Sequence, residues 1–280
     1  VASLSSSYEP QIFQKCYKSC CRFILILIHD FPDFIVASAS MISSVFPSSF
    51  LQLKNILFSV TPTSIIYISP LTSDLKIDHL PDVHQTAFQI YTFSLPESIE
   101  TILKNISIDI NLSSVQLIID FIEKQPLSIS VLVNRLFEIT FELSASTQRA
   151  LFTNLPFFIL SCYILCNCSV NTSLLYIEVL TDQLRYPSRN THFFSKLLLS
   201  LFEEDLIGIE GINISEMISL SLFKRLSISP PYPWGLQVTT IELISNKELG
   251  FWDRQFAMND KVSIFLKAIS TTLFNQTNQG

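Results

Sequence analysis

Apolar residues recur along the chain at the three- and four-residue spacing of a helix, and no stretch of any length alternates strictly as a half-buried strand would. The spacing predicts a first helix over residues 13–28, apolar almost all round and ended by "HDFPDF", where Pro32 is placed to open the next. Helices over 34–45 and 50–60 follow, separated by Pro47 and closed by "VTPTS". Residues 61–94 break the period: "SPLTSDLKIDHLPDVHQ" mixes prolines, carboxylates and two histidines, as a long surface connection does. After Pro96 the helical spacing resumes over 97–106, 113–124 and 128–143. It continues through "TQRALFTNLPFFILSCYILC", "NTSLLYIEVLTDQLRY", "THFFSKLLLSLFEED", "ISEMISLSLFKRLS", "PPYPWGLQVTTIELIS" and a last helix near 260–274. Thr147, Asn171 or Thr172, Asn190 or Thr191, and Ser215 are the predicted N-caps.

Two of these helices show a narrow polar stripe. Over residues 174–186, Glu178, Asp182 and Arg185 are expected to face water, with Ile177, Leu180 and Leu184 opposite. Over 234–245 the expected wet residues are Thr239, Glu242 and then Asn246, and the dry ones Trp234, Val238 and Ile241. Many other helices are apolar on more than one face, as the middle layer of a stacked helical array would be. The expectation is an all-α fold, a stacked helical array filling residues 1–280 as one domain, with the irregular connection near 61–94. No strict internal repeat is visible, so the array rests on helix length and pairing. The first residue is Val, and the sequence is read as a fragment of something longer.

Composition sharpens this picture. Of 280 residues, 48% are apolar and only 15% charged, against about 25% charged in an average soluble domain. That surplus of apolar surface points to a protein partner or to oligomer formation. A net charge of -6 gives no basic footprint for phosphates, so direct nucleic-acid binding is not expected. The six cysteines cluster as Cys16, Cys20, Cys21 and Cys162, Cys166, Cys168 inside apolar runs, which reads as buried free thiols in a reducing compartment. Asn-x-Ser/Thr triplets at Asn105, Asn111, Asn167, Asn171, Asn213 and Asn275 are explained by the abundance of Asn and Ser. A polytopic or membrane-associated helical protein is the rival architecture, because residues 151–177 carry no charged side chain. Asn154, Pro156, Asn167 and Asn171 interrupt that run, and its uninterrupted part, 157–166, is about half a membrane span. A buried helix is the simpler account.

The search for chemistry returns little. The chain has five glycines and lacks G-x-G-x-x-G, G-K-[ST], G-x-S-x-G and H-E-x-x-H. The histidines are His29, His79, His84 and His192; a divalent-cation or hydrolase site is best sought at Asp74, Asp78, His79, Asp82 and His84, where a solvated connection is the simpler reading. Cys162, Cys166 and Cys168 at helical spacing read as core packing. Glu203, Glu204 and Asp205 end a helix, as a solvated terminus or as a patch for a basic partner. No catalytic constellation, metal or cofactor is expected.

Pro230, Pro231 and Pro233 stop the preceding helix, and Pro233 suits the start of the next. Gly235 permits close approach of another backbone, and Trp234 places a large ring at the mouth of the turn. This reads as a rigid corner between repeats, and Tyr232 and Trp234 as part of a partner surface, since aromatic anchors dominate interface energy. At this point a resemblance becomes specific. "TDQLRYPSRNTHFFS" (181–195), then "PPYPWGLQVTTIELI" (230–244) and "FW" (251–252) resemble the C-terminal superfamily-homology domain of the Not-one family. That family supplies the scaffold subunit of the CCR–NOT mRNA deadenylase complex. "ILIHDFPDFIVASA", "FLQLKNILFSVTP" and "DLKIDHLPDV" are similar to the same domain in the same order, so the resemblance runs from about residue 20 to 274.

The resemblance implies an all-α array of HEAT-like repeats without enzymatic activity. It implies docking of the Not-two subunit and of a Not-three or Not-five subunit through their NOT-box modules, with short linear motifs of RNA-binding repressors as further partners. The chain would then couple mRNA recruitment to deadenylation, translational repression and decay, in the cytoplasm, including P-bodies, and in the nucleus. The candidate partner-binding residues form two corners: Arg185, Tyr186, Pro187, His192 and Phe193, and Pro231, Tyr232, Trp234 and Gly235. Stacking of consecutive helix pairs would set these corners along one edge, which a partner segment is expected to cross. A helical-repeat adaptor of another pathway is the remaining alternative.

Overall fold

The computed structural model describes residues 10–47, 49–66, 68–72, 75, 86–87, 94–106, 110–144, 152, 155–258 and 264. They form an all-α structure: α1 (Pro10–Asp30), α2 (Pro32–Ser44), α3 (Leu51–Phe58), α4 (Glu97–Ile106), α5 (Leu112–Lys124), α6 (Ile129–Ser144), α7 (Pro156–Asn167), α8 (Val170–Thr181), α9 (Arg189–Glu203), α10 (Ile214–Leu226) and α11 (Trp234–Ser245). No strand occurs among the described residues; an antiparallel bridge between Ile207 and Asn213 closes a loop. Most of the predicted irregular connection at 61–94, its Asp74, Asp78, His79, Asp82 and His84, the Thr147 cap and all but residue 264 of the predicted last helix lie outside the described residues.

Proline and cap chemistry set the helix starts. Pro32 and Pro156 occupy first-turn positions of α2 and α7, where a missing N–H costs nothing. Asn111 caps α5 by accepting from the Ser113 N–H at 3.0 Å. At three other starts the cap lies just upstream of the predicted residue. Ser169 caps α8, its hydroxyl accepting from Thr172 N at 3.4 Å; Ser188 caps α9, accepting from Thr191 N at 3.3 Å; Asn213 caps α10, accepting from Glu216 N at 3.1 Å.

The chain divides into two compact units. The first comprises Val1–Ile90, Asp182–Ser195 and Leu222–Gly280. In it α1 packs on α2 and α3, and α2 on α3, around Ile35, Leu53, Leu57 and Phe58, each at most 1% exposed. Tyr17 of α1 meets Phe50 edge-on, with ring centroids 5.0 Å apart. The second unit comprises Tyr91–Thr181 and Lys196–Ser221. There α4 packs on α5 and α6, α5 on α7, α6 on α7 and α8, and α7 on α8, so neighbours are next or next but one in the chain. That order is the register of a stacked helical array. Ile118, Ile122, Leu132, Phe157, Ile164 and Ile177 fill its core, each such side chain contributing about 1.5–3 kcal/mol by leaving water.

No helix among the described residues is long and apolar enough to cross a membrane. Helix α7 has 12 residues, so at 1.5 Å per residue it extends about 18 Å against a hydrocarbon core of about 30 Å. All six cysteines are free thiols; Cys168 is buried as expected, whereas the other five are only half-buried. Burial pushes the Cys162 and Cys168 thiols up to about 12, which keeps them from acting as thiolates at neutral pH.

Candidate functional site: a buried knot beneath the proline corner

Helix α8 stops at Thr181, short of the predicted end at Tyr186, because the next backbone groups find other partners. The Thr191 hydroxyl accepts from Arg185 N at 3.1 Å and lies 2.7 Å from Tyr186 O, to which it donates. Ser188 and Thr191 hydroxyls are 3.2 Å apart, and Asn190 Oδ1 accepts from Ala87 N at 3.0 Å. The α8–α9 connection is thus a buried turn whose polar backbone is paired by hydroxyl and amide side chains, as burial requires.

Gly235 closes the turn from the other side. Its N–H donates to Arg185 O at 2.6 Å. A Cβ built there would stand 2.4 Å from Thr191 Cγ2 and 2.9 Å from the Leu184 carbonyl carbon. The proline corner therefore presents the one residue type whose backbone fits against residues 184–185. Trp234 is held by its indole N–H, which donates to Ile68 O at 2.8 Å, and its ring packs with Val238, Ile68 and Leu75. The Tyr232 hydroxyl donates to Ile228 O, and the Pro230–Pro231 peptide is cis.

Charge is concentrated behind this contact. Arg185, 1% exposed, donates from Nη2 to Val36 O, and its guanidinium lies 5.5 Å from the Phe58 ring centroid. The Arg225 guanidinium lies 5.6 Å from the same ring. Asp182 joins two cations, with Oδ1 2.7 Å from Arg225 Nη1 and Oδ2 2.9 Å from Lys54 Nζ. Asn55 exchanges two bonds with Arg225, donating to its carbonyl at 2.8 Å and accepting from Nε at 2.9 Å. Desolvation offsets much of the attraction in ion pairs as covered as these, so they are weak evidence for stability. Every residue of the knot belongs to the first unit.

The turn, the glycine contact and the helical array agree with one family. Residues 2–269 match the family described as CCR4-Not complex component, Not1. The chain belongs to the Not1 family. Among curated relatives, "General negative regulator of transcription subunit 1" of Schizosaccharomyces pombe is 25% identical over 92% of this chain, and that of Saccharomyces cerevisiae 24% identical over 87%. "CCR4-NOT transcription complex subunit let-711" of Caenorhabditis elegans is 26% identical over 88%. The chain spans 13%, 12% and 10% of these relatives' lengths. The solved NOT1 superfamily homology domain from Chaetomium thermophilum shares the fold, with a TM-score of 0.83 at 21% identity, covering 96% of this chain and 56% of that one. A Not1 C-terminal domain solved in complex with Not4 has a TM-score of 0.76 at 22% identity, covering 90% and 54%.

In this Not1-family chain the two predicted corners meet where the Arg185 carbonyl accepts from the Gly235 N–H, with Tyr186 beside Arg185 in the same turn. Arg185, Tyr186, Pro187, Phe193, Tyr232, Trp234 and Gly235 are buried, His192 is half-buried and Pro231 is exposed. Arg185 is not on a wet face, because α8 has ended and the side chain turns in toward Val36 O and Phe58. Thr239 is likewise buried, its hydroxyl donating to Ser195 Oγ at 2.8 Å. Lys54, Asn55, Phe58 and Arg225 have no signal in the pattern: α3 is buried continuously over residues 53–58, and these side chains gain meaning only through Asp182, Arg185 and one another.

Proposed function

We propose that this Not1-family chain is a non-catalytic scaffold domain of the CCR4-Not complex, docking a Not-two subunit and a Not-three or Not-five subunit and so coupling mRNA recruitment to deadenylation, translational repression and decay. The family match over residues 2–269 carries this reading. Support comes from the Not1 C-terminal domain solved with Not4, a precedent for subunit capture by this fold and a further candidate partner. Under this reading Pro231 and His192 offer surface to the partner, while Arg185, Tyr186, Pro187, Phe193, Tyr232, Trp234 and Gly235 hold that surface in shape. The mechanism is binding energy and geometry, with no reaction, no bilayer and no direct nucleic-acid contact, in the cytoplasm with its P-bodies and in the nucleus.

The test is a pull-down with the purified chain as bait, against a co-expressed Not-two and Not-three/five NOT-box pair, with Not4 in a parallel arm. Retention of the pair, weakened by His192→Glu with Pro231→Glu, is expected. Loss of the pair from the unaltered, folded chain would sink the reading in favour of an adaptor of another pathway.

A further inference from the structure

The α9–α10 connection breaks the ordinary chemistry of a surface loop. It places Ile207 and Ile209 at 59% and 44% exposure. The backbone holds them there. Gly208 N–H donates to Ile212 O at 2.8 Å, Ile214 N–H to Leu206 O at 3.0 Å and Gly211 N–H to Gly208 O at 3.2 Å. Asn213 Nδ2 donates to Asp205 Oδ1 at 3.1 Å, and the Ser215 hydroxyl to Phe202 O at 3.0 Å. Asp205 and Glu210 accept left-handed backbone, at φ 51° and 67°. Underneath, a Cβ on Gly208 would sit 3.1 Å from Leu165 O and 3.3 Å from Ile214 Cδ1, so the loop is seated and has no room to sink. The two isoleucines are presented to solvent by a fixed frame.

The loop and its flanking helix ends carry charge of one sign. From residue 197 to 223 the sequence holds Glu203, Glu204, Asp205, Glu210 and Glu216, with no Lys, Arg or His. All five carboxylate residues are exposed. An anionic membrane surface or a nucleic acid is repelled by this rim, and so is the same loop of a second copy. An apolar centre inside a charged rim is the anatomy of a protein interface, with the rim setting orientation and encounter rate.

We propose that the α9–α10 loop is a docking surface for a peptide segment that carries a large apolar side chain flanked by Lys or Arg. The apolar side chain covers Ile207 and Ile209, and the partner's cations meet Glu204, Glu210 and Glu216. The surface lies wholly in the second unit, whereas every residue of the knot belongs to the first, so the proposal does not draw on the knot's residues.

The probe is a phage-displayed library of random peptides, selected on the whole chain. Recovered peptides are then titrated by fluorescence polarisation against the chain, Ile207→Asp with Ile209→Asp, and Glu204→Lys with Glu210→Lys. Circular dichroism and melting check that each variant is folded, and Ile207→Ser with Ile209→Ser serves if the aspartates are not. Peptides combining apolar residues with Lys or Arg are expected, bound about tenfold or more weakly by both variants, with affinity falling as salt rises. Peptides lacking basic residues, equal binding to variant and unaltered chain, or no peptide that discriminates them overturns the proposal. Sedimentation of the chain alone covers self-association: a dimer abolished by the isoleucine substitutions overturns it too.

Discussion

Gly235 shows how one residue can join two segments. Its missing side chain lets its N–H reach Arg185 O while Thr191 Cγ2 fills the space a Cβ would take. Gly235→Ala is expected to destabilise the chain by about 1–3 kcal/mol, because the atoms a Cβ would meet are backbone and a β-branched methyl with little freedom to retreat. Urea denaturation with matched slopes reads this directly; an unchanged midpoint would mean the backbone yields cheaply. The need for a close approach was legible in the sequence, since a glycine directly after Pro-Trp in a glycine-poor chain has few other uses. The fate of Arg185 was not. A helical period continued through Tyr186 puts it in water, and only the tertiary bonds of Thr191 reveal that the helix has ended.

At the scale of elements, α5 and α8 are joined by a clamp. The Glu123 carboxylate accepts from the Ser169 N–H at 2.5 Å, from the Ser169 hydroxyl at 3.1 Å and from the Thr172 hydroxyl at 2.8 Å, at the N-terminus of α8. Partial burial favours the neutral acid, yet these three donors outweigh it and hold the carboxyl below its ordinary value of 4.5. A depressed carboxyl contributes stability that is present above its unfolded value and lost as pH falls through the lower folded one. Melting followed from roughly pH 6 to pH 3 is therefore expected to show a decline, beginning near the ordinary carboxylate range, that is shallower in Glu123→Gln. Parallel curves would remove the clamp from the account of α8. Sequence periodicity found α8 but not its cap, because Ser169, Asn171 and Thr172 are all capping residues within one turn. The choice among them is made by Glu123, distant in sequence.

For the molecule as a whole, low charge and high apolar content find two outlets. Most of the apolar side chains wrap helices against each other inside each unit, as the all-α expectation required. The remainder stays on view: Phe23, Ile26, Phe31 and Phe34 of α1, α2 and the residue between them are each more than half exposed. Exposure of this kind fits the proposed scaffold role, in which a partner covers apolar surface. The order of motifs at 181–195 and 230–244 made the family legible, since the knot they build needs both segments. The shape of the partner surface was not legible, because aromatic and basic residues that read as anchors are spent inside. The most direct measurement is sedimentation velocity of the purified chain in detergent-free buffer, alone and with an equimolar Not-two and Not-three/five NOT-box pair. A dispersed species that shifts to an equimolar ternary complex is expected; aggregation without lipid, or a boundary unmoved by the pair, would contradict the scaffold account.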